Sequence, residues 1–222
     1  MKGKTMASAA LHVSSPPPRR LPALAAIDAD DTNFVIWRRT LASEVVTYAT
    51  QLAKNKLSLR HGTGHHLTAA ELSARSELPP GDGREAWVAD VAHALEQFSS
   101  FTGGQAFHVS IDVVTGDKCR RFHVDYYQLR WVSTYLGPTT EWVADADVVA
   151  EVFDGSIRCH DTFNRALVPD PSRVQRLSPG DVLLMKGRGW PGPQHGFGGP
   201  IHRSPPIEAT GERRVVLTLT LQ

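Results

Sequence analysis

A histidine and an aspartate separated by one residue, His123 and Asp125, form the pair with the clearest capacity for chemistry. On a β-strand, side chains two residues apart point to the same face, so both groups would reach one metal ion from one element. A second histidine from elsewhere would complete a 2-His-1-carboxylate set, which leaves positions on Fe(II) open for a co-substrate and O2. The pair therefore predicts two of the three ligands of a non-heme iron site.

The third ligand must come from a later element, and His160, His195 and His202 follow the aspartate in the chain. His195 lies in a run rich in glycine and proline, residues 187–200, which predicts a loop over a pocket. His202 follows that run and precedes the last predicted strand. Because the ends of rigid elements hold a metal more accurately than a loop does, we expect His202 to be the third ligand.

A dicarboxylate co-substrate such as 2-oxoglutarate needs a cation for its distal carboxylate, and arginine matches a carboxylate with two parallel hydrogen bonds. Arg213 and Arg214 begin the final predicted strand. Arg214 falls on the more polar face of that strand, whereas Arg213 falls on a face of valine and leucine. The alternation favours Arg214 as the carboxylate partner and leaves Arg213 as the alternative.

The order of these features carries more weight than the triplet itself. In a chain of this composition roughly 0.6 His-x-Asp triplets are expected at random. Here the triplet precedes a histidine at a strand end and an arginine about a dozen residues beyond it. The competing interpretation is that His123 and Asp125 form a hydrogen-bonded pair in a β core without any metal.

The elements around these residues change from helical to strand periodicity along the chain. Apolar spacing predicts helices at about 40–56, 68–75 and 84–101, the second of which begins with a capping box. Alternation then predicts strands over 106–114 and from 119 to about 135, followed by shorter strands. This pattern indicates an α+β chain with N-terminal packing helices and a sheet that closes into a sandwich or barrel.

The composition is that of a soluble domain with an appended arm. Residues 1–30 are expected to form a disordered arm rather than a targeting sequence, and residues 31–222 a single domain. The glycine-containing run 60–66 carries three histidines and is more typical of a flexible loop than of a metal site.

The overall charge and the cysteine content exclude several classes of protein. A formal charge of +1 gives no reason to expect binding to nucleic acid or to an anionic membrane. No apolar run approaches the ~20 residues that span a bilayer. Two cysteines are too few for a disulfide framework, which favours a reducing, cytoplasmic setting.

Three segments of the chain are similar to a bacterial family of domains of unknown function, number 1826. They are Cys119–Asp125, Thr134–Trp142 and His202–Pro206, and the resemblance runs from about Asn33 to Leu221. This family resemblance brings no activity with it.

The site pattern also resembles that of Fe(II)/2-oxoglutarate dioxygenases. This looser resemblance implies a double-stranded β-helix, the jelly-roll or cupin-like fold, and hydroxylation of a small-molecule or protein side-chain substrate. It implies that Fe(II) and 2-oxoglutarate are the cofactors, with no catalytic residue beyond the metal ligands. Tyr127 and Tyr135 share the His123 face if the strand is unbroken, and would then bind the co-substrate or substrate. Trp190 and His195 would belong to a lid over the site.

Two other classes of function fit the same residues. A cupin-like protein could hold zinc with the same three ligands without catalysis. A β-barrel interaction module would need no metal. A buried arginine that faces the ligands favours the oxygenase, because a metal carrier has no need of it.

Overall fold

The structure is a computed structural model that describes residues 20–62, 67–153 and 155–222. Residues 1–19 of the predicted arm and residues 63–66 of the predicted histidine loop lie outside the described residues. Within the described ranges the α-helices α1 to α5 span Ser43–Leu52, Ala69–Ser73, Arg84–Phe101, Ala150–Phe153 and His160–Leu167. The strands β1 to β9 span Phe34–Trp37, Ser58–His61, His108–Val114, Leu129–Leu136, Glu141–Val143, Gln175–Arg176, Val182–Lys186, Ile201–Arg203 and Arg214–Leu221.

The strands form two antiparallel sheets that face each other. The major sheet has the order β1-β7-β4-β9-β3-β2, and the minor sheet has the order β6-β5-β8. Apolar side chains from both sheets pack together, including Leu183 and Val132 from the major sheet and Trp142 from the minor sheet. The α+β class is therefore confirmed, while closure into a double-stranded β-helix stays a prediction.

Strand β9 separates the helix-packed core from the space between the sheets. It lies between β4 and β3, so both of its edges are hydrogen-bonded. Its odd-numbered residues from Val215 to Leu221 are buried in the main core with residues of α1 and α3. Its even-numbered residues from Arg214 to Thr220 line a cavity on the other face. The two-residue period of a strand thus produces one apolar and one functional face.

The predicted helices lie on the core face of the major sheet. Helix α3 buries Trp87, Val91, Leu95 and Phe98, the apolar positions that predicted it. Helix α1 is shorter than the predicted range 40–56. Helix α2 begins at the predicted capping box, in which Thr68 and Glu71 satisfy each other's backbone N–H groups.

Residues 22–28 correct the prediction that the whole of 1–30 is disordered. This segment, Pro22–Asp28, forms a 3₁₀ helix, and its side chains Leu24 and Ile27 are buried in the main core. The backbone N–H of Leu21 also donates to the Gln97 side chain on α3. This short segment of a tail of low hydrophobicity is ordered because its apolar side chains pack into the main core.

The predicted strand from residue 119 to 135 is wrong in its first half. Regular pairing begins only at Leu129, and Cys119 has a positive φ of 53°, which a strand does not contain. His123 forms one isolated β-bridge to His202.

None of the helices in the described part of the chain combines the length and the apolar character that a membrane-spanning helix needs.

Candidate metal centre and the cavity around it

His123 and His202 are held side by side by the backbone. The N–H of each residue donates to the carbonyl of the other, with distances of 2.9 and 3.0 Å. Directly opposed residues of an antiparallel pair project their side chains to the same face. The two imidazole rings accordingly lie with their centroids 4.6 Å apart.

Asp125 completes the cluster from two residues beyond His123. Its Oδ1 lies 3.4 Å from Nε2 of His123, and its Oδ2 lies 3.6 Å from Nε2 of His202. One ligand atom from each of the three residues falls within 4.8 Å of the others. The structure therefore brings together the three residues that the sequence predicted as metal ligands.

Both imidazole rings have one nitrogen committed to a backbone carbonyl. Nδ1 of His123 lies 2.8 Å from the Arg121 carbonyl oxygen, and Nδ1 of His202 lies 3.0 Å from that of Pro200. Because a carbonyl oxygen only accepts, each Nδ1 must carry the proton, and the Nε2 lone pair of a neutral ring then faces the centre of the cluster, where a cation would bind. Histidines that ligate metals are oriented in this way by the hydrogen bond of their other nitrogen.

Asp125 is held in its ionised form by its neighbours. Burial alone would raise the pKa of Asp125, but the hydrogen bond with His123 and the charges of His202 and Arg130 lower it to about 2. Nη1 of Arg130 donates to Oδ2 at 2.7 Å. The carboxylate is thus ready to bind a cation at neutral pH, as a metal ligand must be.

The two histidines differ in how their surroundings act on them. Burial lowers the pKa of His202 to about 4, so this ring is neutral at pH 7. Burial also disfavours protonation of His123, but the hydrogen bonds with Asp125 and the Arg121 carbonyl outweigh it and raise its pKa. The pKa values of the two rings therefore shift in opposite directions.

The cluster opens onto a cavity of about 440 Å³ between the two sheets. This volume lies in the range of small-molecule sites. The even-numbered residues of β9 and the side chains of Arg130 and Val132 form the wall from the major sheet, while His202 and Arg203 contribute from the minor sheet. A ligand of small-molecule size would therefore contact both sheets.

Arg214 is a buried cation in the wall of this cavity. Its side chain is 3% exposed, and burial lowers its pKa to about 10, although the nearby charge of Glu141 acts in the opposite direction. Its Nε has no hydrogen-bond partner, and the one bond from Nη2, to Thr134 Oγ1, is long at 3.4 Å. Among the described residues no carboxylate forms an ion pair with Arg214. A buried charge without a partner is costly, unless a ligand supplies the missing carboxylate.

Arg213 points elsewhere, as expected from the alternation of β9. Its Nη1 donates to the Ala53 carbonyl at the end of α1. Of the two arginines that the sequence left open, only Arg214 faces the cavity.

The two tyrosines separate on opposite sides of the major sheet. Tyr127 lines the cavity, and the guanidinium of Arg130 lies 4.1 Å from the centre of its ring. Tyr135 is buried in the main core, where its hydroxyl donates to Asp90 Oδ2 at 2.7 Å. The prediction that Tyr135 faces the site is wrong, because the irregular segment before β4 shifts the strand's alternation by one residue.

The glycine- and proline-rich loop does not cover the cavity. Trp190 packs against the main core with the Lys186 ammonium 5.0 Å from its ring, and His195 is exposed. Neither residue lines the cavity. The prediction that they form a lid over the site is not supported by this placement.

The loop instead supports the metal-ligand segment from behind. A Cβ at Gly187 would lie 2.3 Å from the Tyr127 carbonyl oxygen and 2.7 Å from that of Asp125. The N–H groups of Gly187 and Arg188 donate to carbonyls of the same segment, those of Gln128 and Asp125. Glycine at this position allows the close backbone approach that fixes Asp125 without a regular strand.

Two further arginines, Arg130 and Arg203, take part in the site although they were not among its predicted residues. The structure pairs Arg130 with Asp125 and pairs Arg203 with the buried Glu141, whose Oε2 accepts from Arg203 Nε at 2.7 Å. Both arginines line the cavity. The sequence offered no signal for Arg203, because adjacent residues of a strand are expected to point to opposite faces.

Comparisons with known proteins give one family match and several distant structural similarities. The family model described as "Protein of unknown function (DUF1826)" matches residues 19–220. None of the curated proteins matches the sequence. Among solved structures, a Pseudomonas putida prolyl-4-hydroxylase is 10% identical, with 90% of this chain and 97% of that chain covered and a TM-score of 0.44.

Two further structures come from nogalamycin biosynthesis. The non-heme alpha ketoglutarate dependent epimerase SnoN is 14% identical, with 90% of this chain and 82% of that chain covered and a TM-score of 0.41. The non-heme alpha ketoglutarate dependent carbocyclase SnoK is 12% identical, with 86% and 81% covered and a TM-score of 0.40.

Proposed function

We propose that this chain, which belongs to the DUF1826 family as three of its segments predicted, is an Fe(II)- and 2-oxoglutarate-dependent oxygenase. The observation that carries the proposal is the shared cavity. The two histidines of the 2-His-1-carboxylate cluster line the same space as the buried Arg214, which has no carboxylate partner among the described residues.

The donor set fits Fe(II) in number and type. His123, His202 and Asp125 supply two imidazole nitrogens and one carboxylate oxygen, the facial set that leaves sites open for a co-substrate and O2. When bound, Fe(II) and 2-oxoglutarate supply the oxidising chemistry, in which O2 delivers one oxygen atom to a substrate C–H bond and the other to succinate, with release of CO2.

The protein's own residues bind, orient and shield. The backbone bridge between His123 and His202 sets the separation of the two imidazoles, and Arg130 fixes one oxygen of Asp125. Arg214 would pair with the distal carboxylate of 2-oxoglutarate through its free guanidinium edge. Since buried arginine carries its charge at neutral pH even with a pKa of about 10, the carboxylate would replace the missing partner.

The same donors can hold zinc in a non-catalytic protein, so the arginine decides between the two functions. A zinc carrier gains nothing from an unpaired guanidinium whose burial is unfavourable. An oxygenase needs this group for its co-substrate. Arg214 therefore favours the oxygenase.

Anaerobic titration with Fe(II) and 2-oxoglutarate tests the proposal. We expect the weak visible charge-transfer band of a chelated complex, and we expect its loss in His123→Ala and Asp125→Ala variants. His160→Ala is the matched control, because His160 is exposed at the start of α5 and does not line the cavity. Absence of the band in folded protein that retains zinc tightly would favour the zinc-binding function instead.

A further inference from the structure

The cavity carries more positive charge than the proposed cofactors neutralise. Its lining contains five basic side chains, Arg60, Lys118, Arg130, Arg203 and Arg214. Three carboxylates compensate them: Asp112, Asp125 and Glu141 pair with Arg60, Arg130 and Arg203, respectively. Two positive charges remain, and this excess is the same with or without cofactors, because Fe(II) and 2-oxoglutarate carry equal and opposite charge.

Arg214 accounts for one of the two remaining charges and Lys118 for the other. Lys118 is exposed at the rim, and among the described residues it has no side-chain hydrogen bond or ion pair. Its neighbour Asp117 is engaged elsewhere, because Oδ1 accepts from the N–H groups of Ile207 and Glu208 at 2.6 and 2.8 Å and Oδ2 pairs with Arg120 at 3.3 Å. The structure thus leaves one cation at the mouth of the cavity.

The backbone around Lys118 is anchored on both sides. Asp117 binds the turn at 207–208, and the Cys119 carbonyl accepts from the N–H of Ser204 at 3.0 Å. Cys119 takes up a positive φ of 53° between these two contacts. Non-glycine residues in this region are strained and recur at ligand sites. The lysine is therefore carried on a fixed support at the rim.

Arg60 provides a second donor group in the lining of the cavity. It lies on the edge strand β2, two strands away from β9 and hence away from Arg214. Only its Nη1 is engaged among the described residues, with Asp112 at 2.8 Å and the Leu59 carbonyl at 3.0 Å. Ser110 Oγ donates to the other oxygen of Asp112 at 2.6 Å. Asp112 thus orients Arg60 while Nε and Nη2 stay available.

We propose that Arg60 and Lys118 form an anion subsite for the primary substrate, which is a small molecule that bears a carboxylate or phosphate group. The substrate role rests on the proposed oxygenase function, whereas the anion subsite does not. The anion would lie at the mouth, and the part of the substrate to be oxidised would extend toward the metal ligands.

Calorimetry on the metal-free full-length protein, kept free of metal by a chelator, tests the subsite independently of iron. The probes are glycerol 3-phosphate with glycerol as its neutral counterpart, and N-acetylglycine with N-acetylglycinamide. We expect at least one charged probe to bind, its neutral counterpart to bind about tenfold more weakly or not at all, and the binding to weaken as salt is raised.

Three variants locate the binding. In the double variant Arg60→Gln/Lys118→Gln the affinity for the charged probe should fall by about tenfold or more, because charge-assisted hydrogen bonds are lost. The same loss should appear when the double change is made in an Arg214→Gln background, which removes any binding of the probe to Arg214 itself. The matched control is Arg158→Gln, an exposed arginine that does not line the cavity and should leave the affinity unchanged.

The outcomes separate the two proposals. Equal affinity for charged and neutral probes, or binding that is lost only in Arg214→Gln, would overturn the subsite. Failure of the Fe(II)–2-oxoglutarate band with intact anion binding would overturn the oxygenase and leave an anion-binding cavity.

Discussion

Replacement of Arg214 by methionine is expected to make the protein more stable and to weaken its binding of 2-oxoglutarate. The arginine is 3% exposed, and among the described residues its Nε has no hydrogen-bond partner. Burial lowers its pKa from 12.5 to about 10, which means that the folded protein disfavours the charged form. Methionine keeps much of the length of the side chain and removes the charge.

The pKa gives the magnitude and the sign of the effect on stability. One pKa unit corresponds to about 1.4 kcal/mol, so a fall from 12.5 to about 10 corresponds to roughly 3 kcal/mol of unfavourable free energy. Because the folded pKa lies below the unfolded one, this penalty is fully present below pH 10 and fades only as the pH rises toward 12.5. Assays at neutral pH therefore measure the full penalty.

Urea unfolding should accordingly show a gain of about 1–3 kcal/mol in the free energy of unfolding of Arg214→Met, with an unchanged m-value. The affinity for 2-oxoglutarate should fall by about 1.5–3 kcal/mol, the range for hydrogen bonds to charged groups. Arg213→Met is the matched control. Its guanidinium donates to the Ala53 carbonyl outside the cavity, so the variant should lose about 1 kcal/mol of stability and keep its affinity.

The opposite pair of results would contradict this role for Arg214. If Arg214→Met is less stable than the parent protein and binds 2-oxoglutarate equally well, Arg214 is a structural cation. Its pairing with a co-substrate would then have no support.

Two further predictions concern the metal cluster. In metal-free protein the free energy of unfolding should fall as the pH drops from about 6.5 toward 4, because unfolded His202 takes up a proton at its ordinary pKa of 6.5 and the buried ring only at about 4. Urea titrations should show a shallower fall in the His202→Gln variant. An equal fall in that variant would assign the effect to another group. Arg130→Met should weaken metal affinity by about 10–100-fold in chelator competition, because Asp125 loses its orienting hydrogen bond, and Arg130→Lys should restore part of it. Unchanged affinity in Arg130→Met would show that the cluster orients Asp125 without it.

The alternation of a strand made part of the site predictable from sequence. Arg214 was distinguished from Arg213 by the two-residue period of β9, and the structure places them on opposite faces. This worked because β9 is one continuous strand with partners on both edges, and the register shift in its pairing with β4 lies on β4, between Thr134 and Leu136. The ligand candidates His123 and Asp125 also lie together, although for another reason than the predicted strand.

The strand period predicts side-chain positions wrongly where the chain is irregular. An unbroken two-residue alternation from His123 predicted that Tyr135 faces the site. The irregular segment between Asp125 and Leu129 shifts that alternation by one residue before β4 begins. Even-numbered residues of β4 then face the cavity, so Arg130 became a site residue and Tyr135 a core residue. A break in a strand is set by contacts with distant segments such as Gly187, which local sequence does not contain.

The N-terminal boundary shows the same limit. Leu24 and Ile27 are isolated apolar residues in a region rich in proline and alanine, and composition alone predicts disorder for them. They are ordered because the main core offers a surface to the 3₁₀ helix that carries them. Tertiary contacts of this kind override local propensity.

The reciprocal backbone hydrogen bonds between His123 and His202 also bear on how the protein folds. The two residues are far apart in the sequence, so the cluster requires closure of a long loop, and contacts of this kind form late and slowly. A chain that has formed only its local helices has no assembled set of ligands. Tight metal binding should therefore appear only in the last stage of refolding, and the rate of metal uptake would report the docking of the two sheets.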